Sequence, residues 1–125
     1  MGMRWKRRRA AVPYVDQVHE GNPPGAQYDL VLELPPGRSV YEIHQCIARD
    51  VDSAVTAVWI GISDGNAYYW LHKEAASSAN QFIKVARHFY VPAGWKIVAR
   101  FADATAGDDL YLTVNGLRWD VVEEA

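Results

Sequence analysis

From Tyr28 onward, apolar and polar residues alternate with a period of two, and Gly, Pro, Asn and Asp interrupt the pattern at short intervals. The runs YDLVLEL, VYEIHQCIA, VTAVWIGI, AYYWLHKEA, QFIKVARHFYV, WKIVARF and LYLTV are rich in β-branched and aromatic side chains, which suit a pleated, half-buried surface. Between them PPGR, DVDS, SDGN, ASSAN, PAG, DATAGDD and NG supply turn chemistry, with Gly or Asn wherever φ must be positive. In WKIVARF, Trp95, Ile97, Ala99 and Phe101 share one face while Lys96 and Arg100 take the other, so one face packs and one is wet. VTAVWIGI is apolar on both faces apart from Thr56, the pattern of a central strand covered on both sides or facing a neighbouring subunit. A long helix competes only in HKEAASSANQFIKVARHF, through its Ala and Lys; ASSAN and the β-branched run favour strands there.

Seven or eight short strands at this spacing predict an all-β fold, an antiparallel β-sandwich of jelly-roll type, because each of two sheets must bury one face. LPPGRSVYEIHQCIARDVDSAVTAVWIGISDG and VPAGWKIVARFADATAGDDLYLTVNG echo one another: Pro-x-Gly, strand, Asp-containing loop, strand, Gly turn. Before Tyr28 no period is sustained, and NPPG, Asn22 to Gly25, breaks helix and strand alike. The expected organisation is an extended basic N-terminal arm over residues 1–26 and a β-sandwich domain over residues 27–125.

A chain of 125 residues, half of them hydrophobic, can bury a core without staples. Cys46 is the sole cysteine, so no intrachain disulfide or Cys-based metal cluster can form, and a reducing compartment is expected. The basic start is followed by Pro13, Asp16 and Glu20 where a secretion signal would be apolar, and no apolar run approaches the roughly 20 residues that span a bilayer. A soluble protein without membrane contact is therefore expected.

Charge is unevenly placed. Arg4, Lys6, Arg7, Arg8 and Arg9 contribute five of the thirteen Lys+Arg residues, and removing these positive charges from a formal net charge of −2 leaves −7 on the rest. A basic arm on an acidic body suits electrostatic docking on acidic protein, including another copy of the chain, with Trp5 and Tyr14 adding apolar contact. Nucleic acid is the weaker match, because five charges are a small footprint and the body repels a polyanion.

Catalytic candidates are sparse. His44 and Cys46 lie two apart and so fall on one strand face, but a free Cys is usually buried, and no nucleophile, phosphate or zinc motif is present. Asp50 and Asp52 in DVDS and Asp108 and Asp109 in GDD supply hard oxygens in loops at one end of a sandwich; their default role is to cap turns. No enzyme activity, cofactor or metal is expected. Among the aromatic residues, Tyr68, Tyr69 and Trp70 are candidate ligand or interface contacts, with Tyr69 opposite in face to its neighbours, since flat aromatics stack on sugars and bases.

Val91 to Gly116, VPAGWKIVARFADATAGDDLYLTVNG, resembles the last strands of small β-sandwich structural proteins of tailed bacteriophage virions. The shared features are a Pro-x-Gly turn into a strand, an Ala/Thr/Gly/Asp loop, and an apolar strand ending in Asn-Gly. The resemblance implies a non-enzymatic virion protein, a capsid decoration or cement protein or a neck or tail component, made in the host cytoplasm. Its arm would bind other virion proteins and copies of itself. The Arg-rich start departs from that group. The rival reading is a glycan-binding module using the aromatics of Tyr68 to Trp70.

Overall fold

The computed structural model describes the backbone of residues 6–124 and the side chains of residues 10–120. Among the described residues there is no helix, and the strands are β1 (Lys6–Glu20), β2 (Ala26–Glu33), β3 (Val40–Asp50), β4 (Val58–Ser63), β5 (Tyr68–Glu74), β6 (Ile83–Val85), β7 (Phe89–Pro92), β8 (Lys96–Ala104) and β9 (Leu110–Glu124). One sheet runs β1-β9-β3-β6, with β7 also paired to β3; the other runs β2-β8-β4-β5. Every pairing is antiparallel. Strands β6 and β7 pair with successive parts of the same edge of β3 and act as one interrupted strand. The resulting order is that of an eight-strand jelly roll.

The core lies between the sheets. Alternation in β8 works as the sequence predicts: Ile97, Ala99 and Phe101 are fully buried, while Lys96 and Arg100 reach the outer face. Strand β4 is central, between β8 and β5, with Val58 and Ile60 in the core. Burying residues of this size contributes roughly 1.5–3 kcal/mol each, so the facing rows of β2, β3, β4, β8 and β9 supply most of the driving force. The stretch that offered a competing helix forms the end of β5, a loop, β6 and the start of β7.

Three sequence readings need correction. Asn115-Gly116 is not a turn; β9 continues through it. Gly116 faces a register shift in β3 between Ile43 and Gln45, and a Cβ there would collide with the Glu42 carbonyl oxygen. The glycine is needed for close backbone approach at a bulge. The same bulge overturns the shared face of His44 and Cys46: Ile43 and Cys46 are both fully buried, and the extra residue leaves His44 outside.

The third concerns the boundary at residue 26. Residues 6–20 are not detached from the sandwich but pair with β9 in continuous register, from Lys6↔Glu124 to Glu20↔Leu110. Tyr14 and Val18 pack against the core, and the Tyr14 ring meets Tyr41 edge-on at 4.9 Å. The period was hidden because an edge strand leaves Val12 and Val15 exposed and carries Pro13, which edge strands tolerate. Strand β3 flanks β9 only from Leu110 to Trp119, so Lys6–Ala10 and Asp120–Glu124 continue as a two-stranded ribbon. Arg4 and Trp5 lie outside the described residues.

Truncation separates ribbon from core. Removing residues 1–9 should leave a cooperative transition with Tm within about 5 °C of the full chain, whereas removing residues 1–20 also strips Tyr14 and Val18 and should lower Tm by more than about 10 °C in differential scanning calorimetry.

Candidate functional site

The outer face of the β2-β8-β4-β5 sheet carries a connected aromatic and cationic cluster. Tyr68 and Trp70 project from β5 and stack in parallel with centroids 5.2 Å apart, and Trp59 of β4 meets Trp70 edge-on at 5.5 Å. The Arg100 guanidinium lies 4.9 Å from the Tyr68 centroid and 4.7 Å from that of Trp70, and Lys73 Nζ lies 4.7 Å from that of Trp59. Arg100 is fixed by a two-pronged ion pair with Asp29, at 2.7 and 2.9 Å, so its plane is held in place. Gly61 makes this layer possible: a Cβ there would meet Trp70 Cε3 at 2.8 Å. Tyr69, as alternation requires, takes the other face, where it stacks on Trp95 at 6.0 Å. Tyr68 and Tyr69 are both about half exposed. The aromatics chosen from sequence thus divide between two surfaces; Trp59, Arg100 and Lys73 join the first, and only a register would have revealed them.

The arm residues are placed differently from one another. Tyr14 points inward, with its hydroxyl 3.4 Å from Asp16 Oδ2. Of Lys6, Arg7, Arg8 and Arg9 the backbone register alone is described: Lys6 sits opposite Glu124 and Arg7 opposite Glu123, while Arg8 and Arg9 face Val122 and Val121. The acidic C-terminal strand of the same chain is therefore the nearest acidic neighbour of the arm in register. Strand β1 ends its sheet, so among the described residues its other edge is open, and Val15 on it is 74% exposed.

On the outer face near the β3 bulge, Glu42 accepts a hydrogen bond from Tyr90 at 3.0 Å and contacts His44, whose ring stacks on His88 at 4.1 Å. Trp119 Nε1 lies beside the same carboxylate, buried and outside hydrogen-bond geometry. His44 and then Tyr90 hold Glu42 below the usual carboxylate range. Cys46 is excluded from this group, and burial pushes its thiol up to about 12, so the thiolate a nucleophile needs is not populated near neutral pH.

The loop aspartates both cap turns and meet. Asp50 Oδ1 accepts from Asp52 N at 3.0 Å and Ser53 N at 3.1 Å, Asp108 Oδ2 accepts from Thr105 N at 3.1 Å, and Asp52 Oδ2 accepts from Asp109 N at 2.7 Å. Asp50, Asp52 and Asp108 each bring one oxygen within 4.8 Å of the others. Asp109 points away, to His19 at 2.9 Å. Burial first, and then the facing Asp108 carboxyl, push Asp50 up to about 6. Burial also opposes ionisation of Asp108, but the neighbouring Asp50 carboxyl, Ser53 and the Thr105 N–H outweigh it and hold Asp108 low.

No family model matches the chain, and no curated protein matches it. Among solved structures it is similar to a chain in the structure of infectious bursal disease virus Gt strain, at 12% identity and a TM-score of 0.29, over 94% of this chain and 32% of that one. The chain thus spans 32% of the length of that viral chain. No helix among the described residues is long and apolar enough to cross a membrane.

Asp50 makes a signed prediction for chelator-treated protein. Its folded pKa of about 6 exceeds the ordinary 3.8, so its stabilising contribution is complete below about pH 4 and is lost as pH rises through 6. Asp50→Asn removes this dependence, and its stability relative to the parent chain should rise by on the order of 1–3 kcal/mol between pH 4 and 7, measured by urea unfolding across that range.

Proposed function

We propose that the protein is a non-enzymatic structural subunit of a virion that joins neighbouring copies and other virion proteins through strand β1. The observation that carries this reading is the open edge of β1, a 15-residue strand whose inner side is paired along its whole length with β9. A long edge presents unpaired N–H and C=O groups, a template for another strand. Here the edge also carries exposed Val15, and it begins in a run of four basic residues on a chain whose remainder is acidic. Pro13 interrupts the donors, which favours pairing along residues 14–20 over pairing along the ribbon. Jelly rolls serve in capsids and in lectins alike, so the fold admits this role and the edge argues for it. The finer assignment, a decoration, neck or tail component of a tailed phage, rests on the resemblance of Val91 to Gly116. The absence of chemistry in this reading draws on the one buried cysteine, whose thiol stays protonated.

Light scattering after size exclusion tests the edge. The full chain should form a defined oligomer or a concentration-dependent assembly, and Val15→Lys, which changes an exposed side chain, should yield a folded monomer with unaltered Tm. A full chain that stays monomeric at every concentration and salt refutes assembly through β1, and absence of the chain from purified particles refutes the virion role.

A second reading is favoured by the outer aromatic layer. Tyr68 and Trp70, parallel to one another with Arg100 against both and Trp59 edge-on to Trp70, form an aromatic cluster of the kind that stacks on sugar rings. In that case a glycan should quench tryptophan fluorescence saturably in the full chain and fail to do so in Trp70→Ala; a flat response across a glycan panel removes this reading.

A further inference from the structure

The two Asp-containing loops of the internal echo meet at one end of the sandwich. Asp50 closes β3 as the chain leaves one sheet for β4 in the other, and Asp108 precedes β9 as the chain crosses back from β8. With Asp52 they place three carboxylate oxygens within 4.8 Å of one another. Oxygens around an ion at calcium distances of about 2.3–2.6 Å are separated by up to about 5 Å, so the spacing accommodates such an ion with little movement.

An independent observation points the same way. Asp50 is 3% exposed and its Oδ2 has no hydrogen-bond partner, although Oδ1 is fully used by the backbone N–H groups of Asp52 and Ser53. The Asp50 carboxyl faces that of Asp108, itself 4% exposed. Among the described residues, the hydrogen-bond donors to the three carboxylates are backbone N–H groups, with Ser53 beside Asp108; none carries a full positive charge. Buried carboxylates in contact need a counter-charge or a proton. Asp52 is exposed and leaves the cluster open to solvent on its side. The Glu42, His44 and His88 group is a poorer candidate: a metal must lie in the plane of each imidazole, and these rings stack 12° from parallel at 4.1 Å, so their planes do not meet near the ring edges.

We propose that Asp50, Asp52 and Asp108 bind a hard divalent cation of calcium size, with water completing its shell. The ion ties the β3–β4 loop to the β8–β9 loop and so clamps the two sheets at that end. Magnesium, which demands octahedral ligands at about 2.0–2.1 Å, fits this spacing less well.

The test uses the full chain, stripped with chelator, at pH 7. Calcium chloride at about 1–5 mM should raise Tm by several degrees, magnesium chloride at the same concentration should raise it less, and Asp50→Asn and Asp108→Asn should each remove the increment. Titration calorimetry of calcium into the unaltered chain decides the matter even if the variants fold poorly, with one site per chain expected. Absence of binding heat together with an unchanged Tm overturns the proposal. So does an equal response to both metals, or a response retained in a folded Asp50→Asn variant, since either marks general ionic effects.

Discussion

Strand β9 is the constraint on which the rest of the molecule depends. It pairs with β1 along its full length and with β3 over Leu110 to Trp119, while its inward row, Leu110, Leu112 and Val114, is fully buried. The first strand of the chain therefore becomes a strand only when the last is in place. Contacts of this sequence separation carry a loop-closure cost before any burial rewards it, and pairings of this kind slow folding as a class. The same pairing brings the basic start of the chain beside its acidic end, with Lys6 opposite Glu124 and Arg7 opposite Glu123.

What was legible in the sequence follows from which faces meet different environments. WKIVARF could be read because Ile97, Ala99 and Phe101 enter the core while Lys96 and Arg100 do not. The jelly-roll class followed from many such runs separated by turn residues. Strand β1 escaped that logic, since an edge strand has a weak inside-outside contrast and Tyr14 and Val18 alone were too sparse a row beside Pro13 and four successive cations. Asn115-Gly116 and His44 misled for a related reason. Bulge and facing glycine form one device, but each half is read separately in the sequence, as a turn and as a strand residue in phase with Cys46.

The candidate surfaces show the same division. Tyr68 and Trp70 were found by their chemistry, whereas Arg100 and Trp59 come to them from other strands, and the buried Gly61 that admits Trp70 has no chemical signal of its own. The loop aspartates were visible as turn caps, and they are that; their convergence depends on the two crossings between sheets lying at one end of the sandwich. Position in the sheet also separates possible roles. The aromatic layer covers the face of one sheet, the open edge belongs to the other, and the carboxylates sit where both sheets end.

The most direct test of this account is residue-resolved amide hydrogen exchange along β1, in dilute and in concentrated protein. Alternate amides of Val15 to Glu20 should be protected by β9 in both, and the intervening amides should be fast when dilute but protected when copies associate. Uniformly fast exchange from Lys6 to Glu20 would show that the segment is not part of the sheet. Alternate protection unchanged at high concentration would show that the open edge takes no second strand.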